Sequence, residues 1–168
     1  MNKKKISIIT PVFNESDEVI DRCLQSVSNI SENIFHIIVV DGSNKEIKTS
    51  SRRHIINLPI NISDYGDTPR AVGTAVAAGL SSDFIIFLDA DNFLVKDFDQ
   101  KFLILSNEKF EIGIVERSLI DENKKLLKNY DTNFWDTSQF IFTKKSYDLA
   151  MQWINYPREF SVIDDRII

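Results

Sequence analysis

The segment Phe84-Ile85-Ile86-Phe87-Leu88-Asp89-Ala90-Asp91-Asn92 constrains the fold most. Its unbroken apolar run suits a strand buried on both faces, as in the centre of a parallel sheet. Such a sheet needs helices on both sides and crossover connections between its strands. The run then stops at two aspartates one residue apart. Strand ends of open α/β sheets border the crevice where ligands bind. Alternate residues of an extended chain point the same way, so Asp89 and Asp91 can face one site. Two carboxylates there repel each other unless a cation or hydrogen bonds neutralise them. A hard divalent cation that shares its oxygen ligands with a phosphate is the natural compensator. Taken alone, the same residues read equally well as a turn with two solvated aspartates.

The rest of the chain supports the sheet. Ile6 to Val12 reads as a first buried strand, and Asp17 to Val27 as a helix with Val19, Ile20, Cys23, Leu24 and Val27 on one stripe. Phe35 to Val40 and His54 to Leu58 are the next strands, with a short polar helix or turn over Lys45 to Ser51. Thr68 to Leu80 reads as a slim helix rich in alanine and glycine, and Asp83 to Leu88 as the fourth strand. This alternation predicts an α/β fold: a Rossmann-type, mostly parallel mixed sheet with helices on both faces. After Asn92 the pattern is more mixed. A helix is expected over Asp97 to Ser106, and strands over Glu111 to Ser118, Lys124 to Tyr130 and Gln139 to Thr143. A helix from Lys145 to Ile154 and the start of another over Ser161 to Ile168 complete the reading.

The 168 residues suit one domain, with residues 1–95 forming one half and 96–168 a second, abridged half. Hydrophobic residues at 43% and charged residues at 27% fit an ordinary soluble domain. A formal net charge of -5 argues against nucleic acid as a partner. Lys3, Lys4 and Lys5 read as a solvated tail; a weak peripheral contact with anionic membrane lipid would need more charge than this run supplies. Cys23 is the sole cysteine, so no intramolecular disulfide forms, and its place on the helix stripe makes it a small core residue. The short apolar run ending at Pro11 does not suit a secretory signal, and no stretch is long enough to span a bilayer. A cytoplasmic location is the expectation.

Other residues carry potential chemistry. Asp41 ends the second strand, followed by Gly42, which permits a positive φ or a close backbone approach. It suits either a hydrogen bond to a base or ribose, or a helix cap. Thr68 and Pro69 suit the N-cap and first position of a helix. Arg70 then falls in the first turn, where the helix dipole disfavours a cation. A bound anion would explain it, as would a surface pair with Asp67. On the first account, losing Arg70 leaves the ligand-free protein no less stable. Asp164-Asp165-Arg166 offers a catalytic base or a helix cap.

Together these pieces resemble family 2 glycosyltransferases of the GT-A fold. Ile8-Ile9-Thr10-Pro11-Val12-Phe13-Asn14-Glu15 is similar to the family's first-strand motif, with Leu24, Ser26 and Val27 behind it. Ile38-Val39-Val40-Asp41-Gly42-Ser43 resembles its second-strand motif, without the additional acidic residue common there. Arg70-Ala71-Val72-Gly73 resembles its Ala-Arg-Asn-x-Gly segment, with Val72 as a departure. Phe87-Leu88-Asp89-Ala90-Asp91 resembles its metal-site strand, and Asp164-Asp165 its acidic pair, usually Glu-Asp. The first four matches fall in order over roughly the first 95 residues; family members usually continue further beyond the acidic pair.

The resemblance implies an inverting, metal-dependent transferase. It would move a sugar from a nucleotide diphosphate sugar, expected to be a UDP-sugar, to the hydroxyl of a glycan or lipid-linked acceptor. Pro11, Val12, Asn14 and Glu15 would border base and ribose, and Asp41 would hold the base. Arg70 would face base or phosphate. Asp89 and Ala90 would lie against the ribose and metal shell, and Asp91, with Asp89, would hold Mn²⁺ or Mg²⁺ on the diphosphate. Asp165, or its neighbour Asp164, would deprotonate the acceptor. Three other readings compete: a sugar nucleotidyltransferase, a receiver domain, and a degenerate domain that binds nucleotide sugar without transfer. The glycine-free loop Phe13-Asn14-Glu15-Ser16-Asp17 disfavours the first, and Pro11 and Leu58-Pro59 at the strand ends disfavour the second.

Overall fold

A computed structural model describes residues 4–105, 109–115, 118–120, 125–129 and 136–155. The chain enters the sheet at β1 (Ile6–Val12), runs through α1 (Asp17–Ser28), and returns as β2 (Ile34–Asp41) and β3 (Arg53–Leu58). Then α2 (Asp67–Gly79) crosses to β4 (Phe84–Phe87). The second half holds α3 (Phe98–Leu105), β5 (Ile112–Ile114), β6 (Ser118–Ile120), β7 (Leu126–Asn129), β8 (Phe140–Thr143) and α4 (Tyr147–Met151). The main sheet has the order β3-β2-β1-β4-β8-β5. Pairings β1–β2, β2–β3 and β1–β4 are parallel, whereas β4–β8 and β5–β8 are antiparallel. The predicted mixed, mostly parallel α/β sheet is therefore present. After β3 the chain reverses direction across the sheet to place β4 on the far side of β1. That reversal is a topological switch point, where ligand crevices form.

Strand alternation sorts the core onto the two faces. Ile8, Ile38 and Val40 pack with Cys23, Leu24 and Val27 of α1 on one side, in adjoining clusters. Ile9, Ile37, Val39 and Phe87 pack with Ala77 of α2 and Ala150 of α4 on the other. The slim-helix expectation for α2 has a specific basis at Gly73. A Cβ there would lie 2.4 Å from Ile9 Cγ2, so only glycine lets the helix sit this close to β1.

Several local expectations are corrected. Residues 45–49 form no helix; a turn at 51–52 with a bridge between Ser50 and Arg53 leads into β3. The single strand expected over 111–118 is two. β5 ends where Val115 N donates to the Gln139 carbonyl at 2.9 Å and Gln139 Nε2 donates to the Val115 carbonyl at 3.1 Å, while β6 pairs with β7 in a separate ribbon. The helix expected over 145–154 is one α-helical turn flanked by 3-10 turns at Lys144–Ser146 and Gln152–Asn155. The Ser146 hydroxyl donates to the Glu111 carbonyl, tying the segment to the edge of β5. Lys5 is no solvated tail residue. Its Nζ donates to the Leu80 carbonyl at 2.6 Å, at the C-terminus of α2, where the dipole favours a cation. None of the described helices is long and apolar enough to cross a membrane.

Candidate functional site

At the C-terminal edge of the parallel strands lies a cleft of about 510 Å³. The end of β1 and the loop after it contribute Pro11, Val12, Phe13 and Glu15, and β2 contributes Asp41. The connection into α2 adds Asn61, Ser63, Tyr65 and Gly66, and α2 itself adds Arg70. Asp89, Ala90 and Asp91 follow β4 on the opposite wall. Of the residues predicted to meet the donor or its metal, all but Asn14 line this one cleft; Asn14 is exposed outside it. Asp164 and Asp165 lie outside the described residues.

Each carboxylate is held differently. Asp41 is 4% exposed, and its Oδ2 accepts from Asn61 Nδ2 at 2.5 Å. Its Oδ1 is buried without a hydrogen-bond partner of good geometry. Burial raises the Asp41 pKa and the neighbouring Asp64 adds to the rise, against the pull of the Ile62 and Asn61 amides. Gly42, at φ +65, lets the Ile60–Asn61 backbone press against this strand end; a Cβ would stand 2.0 Å from Asn61 N. Asp89 Oδ1 accepts from Arg70 at 2.7 Å. Asp91 is exposed, and its carbonyl accepts from Arg22 of α1 at 2.8 Å. Arg22 also lies over the Phe93 ring at 5.3 Å, and Ser26 Oγ accepts from Leu94 N at 3.1 Å. The face of α1 thus fixes the loop that carries the aspartates.

The start of α2 differs from its predicted form. The N-cap is Gly66, not Thr68, and the helix begins at Asp67. Asp64, a residue the sequence reading passed over, accepts from Gly66 N at 3.2 Å and Thr68 N at 2.8 Å. These amides are therefore already engaged by a carboxylate rather than left for a phosphate. Arg70 is 6% exposed, so it is no surface residue. It reaches Asp89 and lies 3.7 Å from Asp67, and its Nη1 donates to the Tyr65 carbonyl at 3.1 Å. Its charge at the helix start is compensated within the protein.

Phe13, Asn61, Ser63, Tyr65 and Gly66 complete the cleft and were not anticipated. One signal did point to the last four: the connection 59–66 exceeds the usual βα loop of about 2–6 residues. Such loops are often functional. Ser63 and Tyr65 both take positive φ, at 58° and 55°, a conformation that costs energy for non-glycine residues. Cys23, by contrast, is the core residue expected. It is 1% exposed, and burial pushes its thiol pKa up to about 12.

The model of glycosyl transferase family 2 matches residues 7–156. The chain belongs to this family. No curated protein matches the sequence. Among solved structures, S. aureus TarS 1–349 is similar with a TM-score of 0.69 and 17% identity, covering 96% of this chain and 53% of that one. The same TarS segment in complex with UDP-GlcNAc gives a TM-score of 0.64 at 16% identity, covering 83% and 45% of the two chains. A 4-diphosphocytidyl-2C-methyl-D-erythritol synthase from Anaerococcus prevotii gives 0.61 at 17% identity, covering 97% and 80%. At these identities the likeness is one of fold. This family 2 chain spans about half the length of TarS 1–349.

Proposed function

We propose that this domain transfers a sugar from a nucleotide diphosphate sugar, of the UDP-sugar class, to an acceptor hydroxyl. The observation that carries the reading is the meeting of Asp41, Arg70, Asp89 and Asp91 in one cleft at the switch point of a family 2 domain. Asp41 is suited to a base, deep at the end of β2. Asp89 and Asp91 are suited to the diphosphate side. Nucleotide sugar bound to TarS, a structure of the same fold, supports the donor class.

The residues present fit a divalent cation of the Mn²⁺ or Mg²⁺ kind, but only as part of its shell. No group of three or more metal-ligating side chains occurs among the described residues. Asp89 Oδ1 is engaged by Arg70, and Asp89 and Asp91 both line the cleft. Magnesium-type sites commonly use one or two carboxylates and complete the shell with substrate phosphates and water. Bound there, the cation would stabilise the charge that grows on the departing diphosphate. Arg70 holds Asp89 in place, and Arg22 holds the Asp91 backbone. Asp165 or Asp164 is assigned the role of general base, taking the acceptor proton as its oxygen attacks the anomeric carbon. Attack opposite the leaving diphosphate inverts that centre.

Calorimetric titration of UDP with and without Mn²⁺ tests the site. Wild type is expected to bind UDP more tightly with the metal, and Asp91→Asn to lose most of that gain while staying folded. Equal affinity in wild type and Asp91→Asn would remove Asp91 from the metal role. Because the fold is shared with a cytidylyl-transferring synthase, CTP and UTP belong in the same titration. Binding of triphosphates alone would favour nucleotidyl transfer instead.

A further inference from the structure

We infer that Arg22 of α1 is a positioning residue for the divalent cation, acting through the backbone of Asp91. The inference rests on the metal-assisted nucleotide-sugar reading above and deepens it. Sheet pairing of β4 with β1 ends at Phe87, before the aspartates. Residues 90–91 form a turn, closed by Asn92 N donating to the Asp89 carbonyl at 2.9 Å. The direction of Asp91 is therefore set by what that turn is fastened to. One side of α1 supplies three fastenings. Arg22 Nη2 donates to the Asp91 carbonyl at 2.8 Å, Cys23 Sγ approaches the Asp89 carbonyl at 4.0 Å, and Ser26 Oγ accepts from Leu94 N at 3.1 Å. The Arg22 guanidinium also lies over the Phe93 ring, 5.3 Å from its centroid.

A guanidinium suits this double duty. It is planar, so it can lie on a ring while its N–H groups donate at the edge. A lysine ammonium is a point donor with no flat face. Arg22 acts by geometry and against its own charge. A cation beside a metal site repels the metal, so charge alone predicts tighter metal binding once Arg22 is lost. Geometry predicts the reverse. Without Arg22 the turn must be ordered when the metal binds, and that ordering lowers affinity. The two effects have opposite signs, which makes the role decidable. Groups that orient metal ligands from behind typically contribute about 10–100-fold to metal affinity. Arg22 is exposed and its charge opposes the cation, so about three- to tenfold is the expectation here.

The test is calorimetric titration of UDP with and without Mn²⁺ for wild type, Arg22→Ala, Arg22→Lys and Ser26→Ala, with hydrogen exchange at the Asn92 amide of the ligand-free proteins. Arg22→Ala is expected to cut the gain in UDP affinity brought by Mn²⁺ about three- to tenfold, and to leave metal-free UDP binding within about twofold of wild type. Exchange at the Asn92 amide is expected to quicken in the same variant. Arg22→Lys keeps the charge without the flat face and is expected to recover part of the gain. Ser26→Ala is expected to lose about two- to threefold of it, the worth of a weak hydrogen bond. A larger gain in Arg22→Ala than in wild type means that charge prevails, and overturns the inference. Equal weakening of metal-free and metal-assisted binding is what a merely structural residue gives, and overturns it too. So does an Asn92 amide as protected in Arg22→Ala as in wild type. If Arg22→Ala does not fold, as judged by circular dichroism, the gains in Arg22→Lys and Ser26→Ala decide. Wild type that binds UDP no better with Mn²⁺ refutes the metal reading and the inference with it. Wild type that binds no UDP refutes the donor reading itself.

Discussion

The Arg70 guanidinium lies buried, 2.7 Å from Asp89 and 3.7 Å from Asp67. Removing it takes the 2.7 Å partner from Asp89 and a cation from beside the buried Asp67. Breaking a fully buried pair costs about 3–5 kcal/mol. Asp89 keeps 27% of its side chain exposed, so about 2–3 kcal/mol is the better expectation for Arg70→Ala. A urea melt of the ligand-free protein checks this; no loss of stability would return Arg70 to a purely ligand-binding role. Asp41 carries a different kind of tension. Its folded pKa lies above the ordinary value of 3.8, chiefly through burial and then Asp64. A raised carboxylate stabilises the fold below its unfolded pKa, and that contribution is lost as pH rises through the folded value. Asp41→Asn is therefore expected to melt at a higher temperature than wild type at pH 7, with the gap closing below about pH 4. The same variant should bind UDP more weakly. A thermal melt series across pH, with UDP titrated at pH 7, separates the two effects.

At the scale of elements, α2 shows how one helix assigns opposite meanings to like residues. Gly73 faces β1, and a methyl group there would press on the branched Ile9 side chain within a closed core. Gly73→Ala is expected to cost about 1–3 kcal/mol, as overpacking does. Gly79 is exposed at the last turn, with open space where a Cβ would go and no positive φ. Gly79→Ala is expected to stabilise by about 0.4–1 kcal/mol, because alanine loses less freedom on folding. Chemical denaturation of the two variants side by side provides the check; equal effects would mean that α2 does not pack on β1 as closely as described.

For the whole molecule, the cleft is built as a unit. β1, β2 and β3 end within a residue of one another and β4 stops level with Ile9, α1 fixes the loop bearing Asp91, and the connection 59–66 fixes Asp41. Transfer also needs a base, assigned here to the acidic pair. At saturating UDP-sugar and Mn²⁺, Asp165→Asn is expected to bind donor as wild type does and to transfer about 10²–10⁴-fold more slowly. Single-turnover sugar transfer by wild type, Asp164→Asn and Asp165→Asn is the measurement. Loss in Asp164→Asn alone would move the role by one residue. Donor binding by wild type without transfer to any hydroxyl acceptor would support a binding-only domain.

Hydrophobic patterning by itself placed β1, β2 and β4, because strands buried on both faces are mostly apolar and sequence records that directly. It also placed Asp41 at the end of β2 and the two aspartates just past β4, though not the turn at 90–91 that takes Asp91 out of an extended strand. It could not decide what those carboxylates touch. That Arg70 turns inward to Asp89, that Asp64 takes the amides at the start of α2, and that Asn61 and Ser63 fix Asp41 are contacts between segments apart along the chain or within an irregular loop. No local periodicity encodes such contacts. The splitting of the strand expected over 111–118 has the same origin, because pairing with β8 or β7 is a choice of neighbour. Propensity along the chain sets which residues extend or coil, and tertiary packing decides which polar groups meet.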